Sequence, residues 1–414
     1  MAHSLRRVRS KRKATPDSQE NSEVSKSPML PPEVLSIIVE ELEASISDSA
    51  TLKNALYTLL VTSRAFNAEA ERVLYRHVEF VNETPQAGQI CSALRARAAK
   101  YVQALRVTRY NGISGRRGRS LHTHFSYLPL NQMTNLRSLS IQEAPDHLIE
   151  TAKLFTFLRE SISENLLLSF HASIVLDEPA LRFFEQQKNI TEISMEIINP
   201  KLDVDALRST DLLPALKRAR IRSLPGQRFQ ELLQNRPVMA LELSSLRDLP
   251  NTWGSVATQL TALDISDVSC NVHADETVHI SESLVASAVN LRLLAYCTLY
   301  IFDGSTHLFT NALGPLRLLT HLEALALSFE TPRDLGFDIS ILPKIVGPPS
   351  KLASLFIVHG NYTFSSTSYR SFELTKNDKE GWDRSPSQPS GVVNRNEWFD
   401  SHYADLPDVQ KEAT

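Results

Sequence analysis

The most regular feature of this chain is a recurring L-x-x-L-x-L pattern, in which three apolar positions are separated by mostly polar ones. The first residues of the four clearest copies are 31, 31 and 30 positions apart. These copies are Leu260-Leu263-Ile265, Leu291-Leu294-Tyr296, Leu322-Leu325-Leu327 and Leu352-Leu355-Ile357. The alternating end of each copy predicts a short strand, and the near-constant period predicts a stack of similar units.

Looser copies precede these four, with a weaker one around Leu168 and Phe170. They are Val102-Leu105-Val107, Leu136-Leu139-Ile141, Ile190-Ile193-Met195, Leu216-Ala219-Ile221 and Val238-Leu241-Leu243. Because chance alone gives apolar triplets often in such a chain, the evidence lies in the repeated polar framing, as in Thr134-Asn135 and Lys188-Asn189. We predict an irregular α/β leucine-rich-repeat solenoid with a parallel sheet over residues 98–360. It departs from the ideal repeat, since Ala144, Val268 and Leu299 stand where a ladder of asparagines is expected.

A different pattern over residues 28–80 predicts three short amphipathic helices. The first follows Pro31-Pro32-Glu33, because prolines fit the first turn of a helix. The second begins near Asp48 or Ser49 and the third begins after Ser63. Three helices of this size form a bundle with a thin core.

The two ends of the chain are polar. Residues 1–27 contain six Lys or Arg between Arg6 and Lys13 and predict a disordered basic arm, which is either a nuclear address or a solvated tail. We predict a mostly disordered tail over residues 361–414, and we expect removal of residues 365–414 to leave folding intact. Alternatively, Trp382 and Trp398 anchor this tail onto the repeats.

Composition and charge limit the partners and the compartment. A net charge of −3 makes nucleic acid an unexpected partner, and no run of 18 apolar residues predicts a membrane span. Cys91, Cys270 and Cys297 are too few and too scattered for a disulfide framework or a zinc site. We therefore expect a cytoplasmic or nuclear protein.

The sequence contains no nucleotide-binding, hydrolase or metalloprotease motif. His122 and His124 lie close to Arg116, Arg117 and Arg119, a grouping that predicts either a metal or anion site or, more simply, a polar loop. We expect a protein that is not an enzyme and that has no cofactor and no metal.

Three segments of the helical region resemble the F-box family. They are Met29-Leu30-Pro31-Pro32-Glu33-Val34-Leu35, Leu60-Val61-Thr62-Ser63-Arg64-Ala65-Phe66-Asn67 and Val73-Leu74-Tyr75. The resemblance covers residues 29–76 and is similar to the F-box-like modules of fungal proteins with degenerate leucine-rich repeats. The connection from Ala44 to Leu52 is longer than in the compact family pattern.

The resemblance implies a substrate receptor of a ubiquitin ligase, in which the module binds a Skp-family adaptor on a cullin scaffold. It implies that the adaptor contacts Leu30, Pro31, Leu35, Ile38, Leu60, Val61 and Arg64. It also implies that Leu42, Phe66, Leu74 and Tyr75 serve the core of the module. The alternative is a repeat scaffold without a ligase role, whose helices act as an N-terminal cap.

Strand alternation predicts which side chains the repeats turn away from their core. This face comprises Arg106, Ser140, Glu196, Arg220, Glu242, Asp264, Ala295, Ala326 and Phe356. If the strands line a concave surface, a target protein binds there, contacting Arg106, Arg220, Arg222, Glu242, Asp264 and Phe356. The alternative is an ordinary solvated sheet face.

Overall fold

The computed structural model divides the chain into two compact units, with the boundary between Val73 and Leu74. It describes residues 30–46, 48–62, 64–82, 84–109, 125, 127–142, 151–172, 175–199, 201–223, 231–243, 254–265, 282, 284–300, 310–311, 313–332, 351–363, 366–376, 382–384 and 395–406. The predicted basic arm, residues 1–27, lies outside these ranges, as do His122 and His124.

The first unit contains three helices: α1 (Pro32–Ser45), α2 (Ser49–Thr62) and α3 (Arg64–Leu74). Pro32 begins α1, where the missing N–H costs no helical hydrogen bond. The Asp48 carboxylate caps α2, accepting a hydrogen bond from the backbone N–H of Thr51 at 2.8 Å. This hydrogen bonding by Thr51 lowers the pKa of Asp48. The three helices predicted over this region are confirmed.

Hydrogen bonds join the helices of this unit. Arg72 on α3 donates to Ser36 at 2.9 Å and to Glu40 at 2.8 Å, both on α1. The Asn67 side chain donates to the carbonyl of Leu60 on α2 at 3.1 Å. Among the residues of this unit that the structure describes, few apolar side chains are buried: Leu35, Val39, Leu56, Ala70 and Val73. This agrees with the thin core that the sequence predicts.

The second unit is built on a sheet of fourteen described strands. In chain order, β1 to β14 are His77–Asn82, Ala104–Arg109, Ser138–Gln142, Ser169–Ala172, Val175–Leu176, Glu192–Ile198, Arg218–Ser223, Ala240–Leu243, Ala262–Asp264, Leu293–Tyr300, Ala324–Pro332, Ser354–Thr363, Ser366–Lys376 and Trp382–Arg384. The remaining described α-helices of this unit, α4 to α9, are Pro85–Ala93, Thr151–Ser161, Glu178–Gln186, Val204–Arg208, Gly254–Gln259 and Arg395–Ala404. Short π and 3₁₀ turns lie at Leu94–Ala98, Ala99–Tyr101, Leu130–Gln132 and Gly314–Leu318.

Strands β1 to β12 pair in chain order and in parallel, except that the two-residue β5 pairs with β6 beside the main path. Strands β13 and β14 then close the series in antiparallel orientation. The predicted α/β repeat architecture with a parallel sheet is confirmed. Its limits are wider than the predicted 98–360, because β1 already pairs with β2, and β12 pairs with β13.

Wherever their side chains are described, the three apolar positions of the repeat lie in three buried rows. The middle row is in register from strand to strand and comprises Leu105, Leu139, Phe170, Ile193, Ala219, Leu241, Leu263, Leu294, Leu325 and Leu355. All ten are at most 1% exposed. The weaker copy near Leu168 begins one residue earlier, at buried Leu167, so that Phe170 takes the middle position.

A backbone hydrogen bond pattern repeats where each strand begins. The carbonyl of Gln103, for example, accepts from the N–H groups of Arg137 at 2.7 Å and Ser138 at 3.0 Å. The same pair of hydrogen bonds to one carbonyl, a double hydrogen bond, recurs between each two neighbouring parallel strands of the main path. The last of these carbonyls is that of Glu323, which accepts from the N–H groups of Ala353 and Ser354. The repeats therefore stack by one rule although their lengths differ.

Asparagines in the polar framing that precedes the apolar triplets also connect neighbouring repeats. Asn135, Asn189 and Asn290 each precede the first apolar residue of a copy, and each side chain donates to a loop carbonyl of the preceding repeat. The acceptors are the carbonyls of Lys100, Asn165 and Thr258, at 2.7 to 2.8 Å. These bonds take the role of an asparagine ladder before the strands rather than after them.

Arg236 holds two adjacent repeats together from inside. This residue is 4% exposed, and its guanidinium donates to the carbonyls of Leu207 at 2.9 Å, Ser209 at 3.0 Å, Leu212 at 2.8 Å, Gln234 at 3.3 Å and Leu232. Burial lowers the pKa of Arg236 to about 10. The group remains charged at neutral pH and donates to backbone carbonyls of both repeats.

We expect Arg236→Met to lower the free energy of unfolding by roughly 3 kcal/mol, since it leaves several buried carbonyls without a donor. Chemical denaturation followed by circular dichroism measures this change. The control is Arg137→Met, which removes the guanidinium of an exposed arginine from another repeat. An Arg236 variant as stable as the wild type would contradict the structural role.

Candidate functional site

The side chains that alternate with the buried middle row define what we call the second face of the sheet. In register they are Arg106, Ser140, His171, Ser194, Arg220, Glu242, Asp264, Ala295, Ala326 and Phe356. The predicted face is confirmed at every position but one. Ser194 pairs with Arg220, so it takes the place predicted for Glu196, which lies two residues further along β6. Sequence reasoning also missed His171, because the copy on β4 was not firmly placed.

The part of this face on β2 to β6 is polar and half-open. Arg106 is exposed and donates to the Gln142 side chain at 2.8 Å. Ser140, His171 and Ser194 follow it and are partly accessible. This polar half therefore presents small hydrogen-bonding groups that no described segment buries.

Charged residues at the centre of the face neutralise one another. Glu242, 5% exposed, pairs with both Arg218 and Arg220. Burial would lower the pKa of Arg218, but the carboxylates of Glu242, Glu192 and Asp400 outweigh it and raise the pKa. Arg220 and Glu242, predicted to bind the target, mainly satisfy each other. Asp264 is buried, and the side chain of Arg222 lies outside the described residues.

Beside these charged residues, the second face on β8 to β12 is mostly apolar. Its residues form a buried cluster separate from the main core: Ala240, Ala262, Leu293, Ala295, Ala324, Ala326 and Phe356. Phe356, predicted to contact a target, is only 2% exposed. We call these seven residues the apolar recess, because most of them are alanines that leave room above the strands.

The C-terminal helix α9 covers the apolar recess. Trp398 stacks on Phe356 with ring centroids 5.3 Å apart and planes 18° apart, and Phe399 and Leu406 belong to the same buried cluster. The prediction of a mostly disordered 361–414 tail is wrong for the described part, which contains β13, β14 and α9. Of the alternative anchors, Trp398 is buried on the recess, and Trp382 packs against the main core.

Polar contacts fix the direction of α9 on the sheet. Asp400 pairs with Arg218, whose guanidinium lies 5.8 Å from the ring centroid of Phe399 and 5.3 Å from that of Tyr403. At the other side, the Trp398 indole N–H donates to Glu373 at 3.4 Å. The helix thus joins the charged centre of the face to its apolar end.

A second surface lies on the helical unit. Of the residues predicted to bind the adaptor, Leu30 is 48%, Ile38 42% and Val61 83% exposed. Pro31 and Arg64 are also exposed, and Leu60 is half-buried. Leu35 does not fit the prediction, because it is 4% exposed and belongs to the core of the unit.

Sequence reasoning missed other exposed apolar side chains of this unit: Val34, Ile37 and Tyr57. Val34 shares one side of α1 with Ile37 and Ile38, which lie three and four residues further on, and Leu30 precedes the helix. Tyr57 and Val61 share one side of α2 for the same reason. Tyr75, predicted to serve the core of this module, instead packs against the core of the sheet.

The described residues contain no group of three metal-binding side chains. Cys91 is buried, and this burial raises the pKa of its thiol. Among the described helices, none is long and apolar enough to cross a membrane. The predicted alternatives for His122 and His124 fall outside the described residues.

Comparisons with known proteins add a distant likeness. A leucine-rich-repeat protein from Leptospira interrogans is 13% identical to this chain, and the match covers 76% of this chain and 82% of that one with a TM-score of 0.31. No family model matches the chain, and no curated protein matches it. The repeat assignment therefore rests on the register and buried rows of this chain itself.

Removing α9 should expose the apolar recess. We expect a chain that ends at Ser390 to bind the dye anilinonaphthalene sulfonate strongly and to self-associate, because an uncovered apolar patch favours both. Dye fluorescence and light scattering measure the change, with a chain that ends at Leu406 as the control. If the chain that ends at Ser390 is monomeric and binds no more dye than the control, α9 does not cover the recess.

His171 makes stability depend on pH. Burial lowers its pKa, as do Arg220 and Arg218, whereas Glu192 and Glu242 oppose this. The unfolded chain then binds more protons than the folded chain near pH 6, so the free energy of unfolding falls as the pH is lowered from 7.5 to 5.5. We expect His171→Asn to show a smaller fall in denaturation experiments, with His77→Asn as the control. An equal fall in wild type and His171→Asn would contradict this assignment.

Proposed function

We propose that this chain is a substrate-receptor subunit of a Skp–cullin–F-box ubiquitin ligase. In this proposal the helical unit binds a Skp-family adaptor, and the second face of the sheet binds a target protein in the cytoplasm or the nucleus. The chain is then not an enzyme, because ubiquitin transfer belongs to other subunits. It needs no cofactor for this role.

Exposed apolar side chains on α1, just before it and on α2 carry the proposal. Leu30 and Ile38 lie where the F-box resemblance places adaptor contacts, and Val61 on α2 is more exposed still. Burying such side chains completely contributes roughly 1.5–3 kcal/mol each, which favours a partner that covers them. A partner groove that accepts the apolar side of a helix supplies this cover.

The sheet supports the second part of the proposal. Its second face is long and in register, and its polar half, which includes Arg106 and Ser140, is accessible. The contacts among Arg218, Arg220 and Glu242 make the centre of the face an ordered, charged platform. Such a surface suits protein recognition better than it suits a small ligand.

A binding scaffold without a ligase role is the second candidate. The burial of Leu35 favours it, because one predicted adaptor contact serves the internal core instead. In that case the sheet still binds its target, and the exposed side of α1 has a different partner. Adaptor binding distinguishes the two functions.

We expect Val61→Glu to weaken binding of a purified Skp-family adaptor at least tenfold, or about 1.4 kcal/mol, because it places a charge in an apolar interface. Isothermal titration calorimetry measures the affinity. Val289→Glu is the matched control, since Val289 is an exposed valine of the other unit, at 50% exposure.

Two results would decide against the ligase role. Failure of the folded wild-type chain to bind the adaptor would leave the scaffold. Equal affinity of the wild type and Val61→Glu for the adaptor would show that the adaptor does not contact this surface. Circular dichroism of each variant confirms that the helices remain folded.

A further inference from the structure

The apolar recess requires a cover. Its seven residues, listed above, lie on five adjacent strands, and each is at most 5% exposed in the complete chain. In the described part of the chain, the side chains that complete this cluster come from α9 and the turn after it: Trp398, Phe399, Tyr403 and Leu406. A single short helix therefore decides whether this surface is buried.

That helix is weak on its own. It has ten residues, which is too few for a stable isolated helix in water. Seven of the ten, in the sequence RNEWFDSHYA, are residues of modest helix propensity. Contacts with the sheet rather than internal stability hold it in place, so it can leave without breaking the strand ladder.

The contacts of α9 are of the kind that dominate protein interfaces. Two consecutive aromatic residues, Trp398 and Phe399, fill the space above the alanines, and the ring of Tyr403 follows one turn later. Asp400 adds a charged contact to Arg218. Aromatic anchors beside an arginine are typical binding hot spots.

We infer that the apolar recess is a binding site for a helix of the target protein, and that α9 occupies this site in the free chain. The bound helix carries two consecutive aromatic residues followed by an acidic residue, which replace Trp398, Phe399 and Asp400. The inference rests on the proposed function in taking the sheet as the target-binding part. Beyond that function, it specifies the side chains of the target helix and names α9 as the segment that competes with it.

The polar half of the same face explains how a target gains access. Arg106, Ser140 and Ser194 are not buried by α9, so a target can bind there first. Its helix then competes with α9 at a high local concentration, as in any two-point attachment. The recess is thereby protected from solvent until a target that fits both halves arrives.

A fluorescein-labelled peptide with the sequence of residues 393–408 tests this inference on the full-length chain. Fluorescence anisotropy measures its affinity for the wild type and for Phe399→Ala and Asp400→Arg, which weaken the resident helix. The control is Ser401→Ala, because Ser401 is exposed on α9. A peptide with alanine at the positions of Trp398 and Phe399 tests the aromatic requirement.

We expect the peptide to bind Phe399→Ala and Asp400→Arg at least tenfold more tightly than it binds the wild type or Ser401→Ala. The alanine peptide should bind none of them. Circular dichroism checks the fold of each variant, and Asp400→Arg, which changes an exposed side chain, serves if Phe399→Ala is unstable.

Equal affinity for all four chains, or no binding to the folded variants, would overturn the inference. A dimeric wild-type chain in light scattering would also overturn it, because a second copy would then be the occupant of the recess. The adaptor is absent from this assay. Failure of the ligase proposal therefore leaves the result unchanged, and the two can fail separately.

Discussion

Burial of the three apolar rows between the parallel strands and their return segments is the constraint on which the sheet depends. No single strand of three to ten residues can bury its own apolar face, so each repeat requires its neighbours. The double hydrogen bond at each strand start and the asparagine side chains keep this stacking in register. Because the double hydrogen bond involves only residues at the start of each strand, repeats 22 to 34 residues long fit one sheet.

The same register determines the chemistry of the second face. A strand that buries its leucines must place the alternating residues on the other side. On β3 to β6 these are polar and tolerate water, as with Ser140 and Ser194. On β10 and β11 they are alanines, which give too little bulk to pack by themselves and accept large side chains from elsewhere. The two halves of the face therefore follow from single residues in otherwise equivalent repeats.

How much the sequence could predict depended on how many positions shared a pattern. The repeats and the three helices were predictable because many residues carried the same period. The exposure of single positions was harder to predict. Leu35 is buried and its neighbour Val34 is exposed, because one step along a helix turns the side chain by about 100°. Glu196 was misplaced although the repeat pattern gives the register, since Ser194 lies between the second and third apolar positions of its copy, as Arg106 does in its own. That Trp398 anchors the tail was one of two alternatives, but the place where α9 docks could not be predicted, because aromatic residues in a polar segment do not indicate their partner.

Arg218 makes the release of α9 physically reasonable. A buried charge that loses its only ionic partner strongly destabilises the fold. Arg218 pairs with Asp400 on the helix, but also with Glu242 and, at 3.7 Å, with Glu192 on the sheet. When α9 leaves, the guanidinium keeps these carboxylates and Asp400 becomes solvated. The free energy that holds the helix is therefore mainly the burial of Trp398, Phe399 and Leu406, and a partner helix with similar side chains can supply the same burial.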